Sequence, residues 1–479
     1  MKLLDYQRSG VAFLVKNRRA LLADPPGLGK TAQIIRALQV LEAMGQDPFP
    51  ALVVCPNSLK TSTWESELSK WAPELRVQVI DGNATQRRKQ IEAEADCLVL
   101  NWEALRLHSR IAGYGSIALT DKEKEPKELN LRGFRTVIAD EAHKAKDAKA
   151  VQTRALWALM HAAEFAFLAT GTPVAKNVED LWALLHALER GWFPAKTRYL
   201  DRYAEVSLNP FGGIEIHGLN QNHKDEFFKI VDPLIRRIPK EAALPELPGK
   251  LPLQIRHTPM KAAQKKAYLQ MRDDMIAHLN DILVAPSPLA QLTRLSQFAA
   301  ASATMTEEGE VRLTAPSPKV DDLVDLLEEL GDEPLVVVAV SRQLIELAAE
   351  KLAKLGISHG LVTGAQSIYE RHEAVQRFQD GRIRVILLTL GAGAEGLTLT
   401  RANRLLFMQR DWSQIKNLQA EDRIHRIGSE KHDFVQIIEQ VTPDSVEEHR
   451  NEVLAVKGMR MEEIIRDEAT LKKLLGVAA

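Results

Sequence analysis

The sequence predicts an α/β protein built as two parallel-sheet lobes, with a linker and a short helical insertion between them. Three observations predict it. Short apolar runs such as ALVVCP (51–56) and TVIADEAH (136–143) alternate with helical patterns, the order of βαβ units. The same alternation restarts at Pro318, with LVVVAV (335–340) and VILLTL (385–390). Between the two, residues 190–317 lose that regularity. The expected boundaries are 1–240 for the first lobe, 241–317 for linker and insertion, and 318–479 for the second lobe.

Composition bounds the rest. A chain of 479 residues suggests two to four domains, and 45% hydrophobic with 27% charged residues is ordinary for a globular protein. A net charge of −1 means that any grip on nucleic acid must come from a local patch. Cys55 and Cys97 are the two cysteines, in no metal-ligand spacing, which excludes a disulfide scaffold and a Cys-rich zinc site. The opening MKLLDYQRSG has no apolar signal core and no run approaches membrane-spanning length, so a cytoplasmic location without membrane contact is expected.

The first lobe is organised around LLADPPGLGKT (21–31). An apolar run ends in a Gly/Pro turn, and Lys30-Thr31 opens a helical pattern carried by Ile34, Ile35, Leu38, Leu41 and Met44 and closed by Gly45. This order suits a phosphate-binding loop. Small residues such as Gly27 and Gly29 let backbone N–H groups curl round phosphate oxygens at a helix N-terminus. Lys30 then reaches the β/γ-phosphates, and the Thr31 hydroxyl ligates Mg²⁺. Asp24 stands where the usual pattern has its first glycine; out of context, the same stretch is a Gly-rich turn before a surface helix. Gln7, ahead of the loop, carries an amide able to pair with an adenine edge.

After the strand ALVVCP, SLKTSTWESELSKW reads as loop plus helix, CLVLNWEAL (97–105) as the next strand, and DKEKEPKE (121–128) as a charged loop. The second constellation, Asp140-Glu141-Ala142-His143, follows a strand directly, at the carboxyl end where α/β sheets bind ligands. Asp140 can hold Mg²⁺ directly or through water. Glu141 can orient and deprotonate the attacking water, and His143 can report nucleotide state to other elements. Without the loop and strand before it, the tetrapeptide is a polar helix start favoured by the dipole. EFAFLATGTPVAKNVEDLWALLHAL (164–188) is strand, hydroxyl-rich turn and helix. The turn can bond both the carboxylate segment and a bound strand, or simply supply an N-capping Thr.

PKEAALPELPGKLP (239–252) reads as a linker. No segment reads as a strand-splitting hairpin, though 205–223 has room for a short one. In the second lobe Val320, Leu323, Val324, Leu327 and Leu330 share a helix face, and Ser341 caps SRQLIELAAEKLAKLG. A glycine turn, GAGAEGLTLT (391–400), precedes a polar helix, QAEDRIHRIG (419–428). Arg423 and Arg426, three apart on one helix face, are candidate arginine fingers; the alternative is a solvated charged face. No second phosphate loop occurs, so this lobe is not expected to bind nucleotide alone.

Taken together and in this order, the motifs resemble the Swi/Snf-like DNA-translocating ATPases of helicase superfamily two. YQRSGVAFL resembles the family's adenine-reading segment, ADPPGLGKT its motif I, VVCPNSL motif Ia, DEAH motif II and LATGTPVAKNVEDLWALL motif III. LGAGAEGLTLTRAN resembles motif V and DWSQIKNLQAEDRIHRIG motif VI, while LIRRIPKEAALPELPGK resembles the link between lobes. The chain departs from the family at Pro25-Pro26 (usually Glu-Met), Ser413-Gln414 (Asn-Pro), Thr398 (Asn) and Ser429 (Gln). Its leanness is similar to that of bacterial or viral members near the annealing-helicase branch.

The resemblance implies two RecA-like lobes with ATP and Mg²⁺ in the cleft between them. Gln7, Gly27, Gly29, Lys30, Thr31, Asp140, Glu141 and His143 serve from the first lobe. Gly393, Gly396, Gln419, Arg423 and Arg426 serve from the second. It further implies that double-stranded DNA crosses loops carrying Ser58, Asn101, Thr172, Ser341 and Thr398, through phosphate and sugar contacts. The expected protein is a monomeric, DNA-stimulated ATP hydrolase that moves on duplex DNA without processive strand separation. The rivals are a strand-separating DEAH-type DNA or RNA helicase and an ATP-gated nucleic-acid clamp.

Overall fold

The structure, a computed structural model, describes residues 2–171, 178–208, 214–277, 288–306, 310–393 and 397–450. The chain divides into two compact units, Met1–Pro245 and Glu246–Ala479. Each is α/β with a parallel sheet at its centre, the expected fold class.

In the first unit β1 (Arg19–Leu22), β2 (Ala51–Cys55), β3 (Val77–Val79), β4 (Cys97–Asn101), β5 (Thr136–Asp140) and β6 (Phe165–Ala169) build the sheet. An antiparallel hairpin, β7 (Ala204–Leu208) and β8 (Ile214–Leu219), precedes β9 (Ile235–Arg236). The sheet order is β3-β4-β2-β5-β6-β1-β9. Buried parallel strands are covered on both faces and so read as continuous apolar runs. Here Leu52, Val54, Leu98 and Val137 face one core, while Val53, Cys55, Val99 and Ile138 face the other. Both cysteines are free and buried.

In the second unit β10 (Gly249–Lys250) and β11 (Gln254–His257) lie along β18 (Phe434–Val441). β12 (Ser302–Met305) and β13 (Val311–Thr314) form a separate hairpin. The sheet continues from β18 through β17 (Arg404–Phe407), β14 (Leu335–Ala339), β16 (Val385–Thr389) and β15 (His359–Val362). The helices Ala262–Ala277 and Pro288–Ala300 share a core with this sheet: Tyr268, Leu292 and Leu295 pack with Leu335 and Val337.

Two local expectations are corrected, and two gain structural detail. The charged stretch 121–128 is not all loop, because Thr120 and Glu123 form a capping box over a helical turn at Asp121–Lys124. SLKTSTWESELSKW opens not as loop but as a π-helix, Lys60–Glu65. The stretch 239–252, read as a linker, contains the boundary between the two units at Pro245 and also carries local structure: Gly249–Lys250 pairs with Phe434–Val435, and the Pro248 carbonyl accepts from His425 Nε2 at 3.0 Å. The room for a short hairpin within 205–223 is taken up in part by the antiparallel pair Ala204–Leu208 and Ile214–Leu219.

The second unit is braced by a buried charge. Lys319 Nζ donates to the Met408 and Gln440 carbonyls and pairs with Glu447 Oε2 at 2.7 Å, both side chains almost wholly buried. Removing one partner of such a pair strands the other in low dielectric. Lys319→Met is therefore expected to cost about 3–5 kcal/mol in urea denaturation, against less than about 0.5 kcal/mol for exposed Lys354→Met.

Candidate active site

The phosphate loop is shaped by where the Leu28 carbonyl points. That oxygen accepts from Tyr6 Oη at 3.2 Å, Gln7 Nε2 at 3.4 Å and Gln33 Nε2 at 3.1 Å. In a trans peptide the next N–H points the opposite way, so the Gly29 N–H is turned from these side chains. Burial, then the nearby Asp24 charge, push the Tyr6 phenol up to about 12, which keeps it a donor. Gly29 is left-handed (φ 67°), and a Cβ there would sit 2.6 Å from Gln7 Nε2. Gln7 is thus buried and engaged, its Oε1 accepting from the Leu4 N–H at 2.9 Å.

The helix Lys30–Ala43 starts directly after Gly29 and places Thr31 in its first turn. Lys30 Nζ donates to the Asp24 carbonyl at 2.8 Å and the Pro25 carbonyl at 3.3 Å. The departure at Asp24 has a partner that sequence reasoning missed. Its buried carboxylate accepts from Arg236 Nη1 at 2.7 Å and the Ile238 N–H at 3.0 Å, and Arg236 Nη2 also donates to the Tyr6 carbonyl.

Asp140 ends β5 beside β6 and is buried. Burial, then the adjacent Glu141 charge, raise its pKa; a hydrogen bond from Trp64 and the Lys30 charge act the other way. Trp64 Nε1 donates to Asp140 Oδ2 at 2.9 Å, the Glu141 N–H to Oδ1 at 2.9 Å, and Trp102 Nε1 to the Asp140 carbonyl at 3.1 Å. Glu141 holds a left-handed backbone (φ 49°), a strained choice for a residue with a Cβ and one that clusters at functional sites. Its Oε2 lies 3.2 Å from His143 Nδ1, which is also 3.3 Å from Thr170 Oγ1. Thr170 and Gly171 follow β6, and a Cβ on Gly171 would meet the Pro26 ring at 2.6 Å. The structure therefore brings together Gln7, Gly27, Gly29, Lys30, Thr31, Asp140, Glu141 and His143, and adds Thr170–Gly171.

In the second unit Arg423 and Arg426 lie close together, but the expected helix does not carry them. The helix spans Gln414–Glu421, with Gln419 half-buried on it, and Arg423 and Arg426 lie in the turns beyond. The Arg423 carbonyl accepts from the Leu399 N–H at 2.9 Å and His425 is tied to Pro248, which draw the chain off the helical path. Both guanidiniums donate to the Leu397 carbonyl, at 3.3 and 3.1 Å. Thr398, half-buried, is the next residue. Gly393 ends the short helix Leu390–Gly393; Gly396 and Thr172 lie outside the described residues. Of the other expected nucleic-acid contacts, Ser58 is exposed, Asn101 Oδ1 caps the helix Trp102–His108, and Ser341 is buried as the cap of Arg342–Lys354.

The sequence profile of the SNF2-related domain matches residues 6–301, and that of the Helicase conserved C-terminal domain matches 318–428. The chain belongs to the SNF2-related family. Family domains of this kind in helicase superfamily two are nucleic-acid-dependent ATP hydrolases. The human DNA annealing helicase and endonuclease ZRANB3 is 28% identical over 435 residues, covering 89% of this chain and 37% of that protein. The putative ATP-dependent helicase/translocase YwqA of Bacillus subtilis is 28% identical over 486 residues, covering 98% and 50%. The chain thus spans half or less of these relatives' length. The Sulfolobus solfataricus SWI2/SNF2 ATPase core in complex with dsDNA aligns over 100% of this chain and 98% of its own at 21% identity, with a TM-score of 0.45. Among the described residues no helix is long and apolar enough to cross a membrane.

The Pro25-Pro26 departure from the family pattern has a steric correlate in Gly171. Overpacking of this kind costs about 1–3 kcal/mol. Gly171→Ala is expected to displace the loop and lower ATPase kcat/KM about tenfold or more, with partial recovery in Gly171→Ala/Pro26→Gly. Full activity of the single variant would mean that the contact does not set the loop's position.

Proposed function

We propose that the chain hydrolyses ATP with Mg²⁺ and uses the cycle to track along double-stranded DNA without separating its strands. The observation that carries this reading is the convergence of the phosphate loop, the Asp140–Glu141 pair and Thr170–Gly171 at the carboxyl ends of neighbouring strands. Lys30 exchanges its loop carbonyls for phosphate oxygens. Glu141 orients the attacking water and takes its proton. Gln7 offers its amide to the adenine edge. Arg423 and Arg426 act from the second lobe by spreading charge on the transferred phosphoryl group, and Gly393, Gly396 and Gln419 contribute to nucleotide binding.

The donor set fits Mg²⁺: the Thr31 hydroxyl and the Asp140 carboxylate are hard oxygen ligands. Mg²⁺ is usually held by one or two protein oxygens, with substrate phosphates and water as its other ligands. When bound, the ion neutralises charge on the phosphates.

Duplex DNA as the substrate is supported by the DNA annealing helicase and helicase/translocase named among the relatives. Contacts from Ser58, Asn101, Thr172, Ser341 and Thr398 loops to phosphate and sugar would give weak sequence preference and a salt-sensitive grip. One observation favours a second reading. The antiparallel pair Ala204–Leu208 and Ile214–Leu219 supplies two adjacent strands of the kind a strand-separating enzyme uses.

Two assays test the proposal. Glu141→Gln is expected to retain ATP binding while kcat falls about 10²–10⁴-fold, and Arg426→Ala to keep binding but lose about 10³-fold or more of stimulated turnover. A Glu141→Gln protein hydrolysing ATP at the wild-type rate sinks the assignment. In the second assay a triplex and a forked duplex are offered side by side. Third-strand displacement with little fork unwinding is expected; unwinding without displacement moves the function to a helicase, and neither, with ATPase intact, to a clamp.

A further inference from the structure

We propose that Trp64 is a positioning residue for the metal-binding carboxylate, its indole N–H holding Asp140 in the orientation from which it receives Mg²⁺. The inference rests on the role of Asp140 proposed above and extends it to a residue outside every motif singled out in the sequence.

Asp140 has two carboxylate oxygens, and each accepts one donor from the protein: Oδ1 from the Glu141 N–H and Oδ2 from Trp64 Nε1, both at 2.9 Å. A carboxylate offers about four lone-pair sites, so each oxygen retains capacity for a cation or its water shell. The two donors differ in kind. The Glu141 N–H is part of the same chain turn and moves with it. Trp64 comes from 76 residues away in sequence, is fully buried, and is packed in the core on one face of the sheet. An indole N–H is a donor only and does not ionise in this range, so it favours the charged carboxylate and cannot exchange roles with it.

The local backbone around Trp64 is itself unusual. Lys60–Glu65 is a π-helix, in which the Ser66 N–H reaches the Thr61 carbonyl. Such turns are rare and frequently occur at functional sites. This one is fixed at its start by Lys60, buried, with Nζ on the Ile80 carbonyl at 3.1 Å and on Asp81 at 3.3 Å. A second indole, Trp102 Nε1, holds the Asp140 main-chain carbonyl at 3.1 Å. With its carbonyl and both carboxylate oxygens tied, Asp140 has little freedom to turn away from the phosphate loop. Groups that orient a metal ligand in this way typically change metal affinity or activity by ~10–100-fold when removed.

The test uses the full chain with Trp64→Phe, which keeps a buried ring and loses the N–H. Two readouts are taken: the Mg²⁺ concentration for half-maximal ATPase, and that for half-maximal Mg²⁺-dependent binding of a fluorescent ATP analogue. Both are expected to rise ~10–100-fold, with metal-free analogue binding in EDTA unchanged. Trp157→Phe is the control, since that indole is equally buried but donates to the Ala183 carbonyl; it should leave both Mg²⁺ midpoints in place. Should Trp64→Phe not fold, benzothienylalanine at position 64, with sulfur in place of N–H, keeps the shape and must give the same shift. A folded variant of either kind with wild-type Mg²⁺ midpoints overturns the inference, as does an equal shift in Trp157→Phe. Asp140→Asn separates the two levels. If it weakens Mg²⁺-dependent binding while the Trp64 variants do not, only the role of Trp64 falls; if it has no effect, the reading of Asp140 falls as well.

Discussion

The phosphate loop depends on one peptide plane. Leu28 turns its carbonyl inward to three side-chain donors, Tyr6, Gln7 and Gln33. A carbonyl left buried without donors would cost about 1–3 kcal/mol, so those donors decide which way the loop curls. Two of them come from the helix Asp5–Asn17 and one from the helix that the loop itself opens. The loop's ability to present N–H groups to an anion is therefore built by elements on both sides of it.

The departures from the usual phosphate-loop pattern are coupled to distant compensations. A carboxylate at Asp24 would be costly in a buried turn, and Arg236 and the Ile238 N–H offset that cost at the point where the chain leaves β9. A proline at position 26 stiffens the loop, and Gly171 is the neighbour that leaves room for its ring. Each substitution breaks a local rule and is balanced by a residue more than a hundred positions away. Such couplings also join the loop to two other working parts of the lobe, the exit segment after β9 and the Thr170–Gly171 turn.

The second lobe uses charge rather than a loop to hold its arginines. Glu421, the last residue of its helix, pairs with Lys250 and Arg410, each at 3.3 Å, and Arg410 pairs in turn with Glu439, as does Arg450. Arg410 also lies over the Phe407 ring at 4.4 Å. The pairs among Arg410, Glu421, Glu439 and Arg450 are largely buried, and buried ion pairs offset their desolvation only when the geometry is good, so they fix the helix end sharply. Beyond that end, Arg423 and Arg426 meet at one carbonyl, Leu397 O, which helical spacing alone would not have supplied.

What the sequence by itself determined was local. Apolar runs of strand length located the buried strands β2, β5, β6, β14 and β16, because a strand covered on both faces must be apolar at every position. Glycine placement and Lys30-Thr31 marked the phosphate loop, and the strand before Asp140 marked the carboxylate pair, because backbone conformation and strand ends are short-range properties. Where local rules competed with long-range contacts, the tertiary structure decided. The polar run through Arg426 carries helical spacing, yet the contacts of Arg423 and His425 end the helix at Glu421. The proline-rich stretch 239–252 holds the boundary between the units, and only the long-range pairing of its Gly249–Lys250 backbone with β18 gives it strand structure. The hydrogen bonds of Trp64 to Asp140 and of Arg236 to Asp24 span 76 and 212 residues. No periodicity encodes such pairs, since they arise only when the sheet brings the two segments side by side.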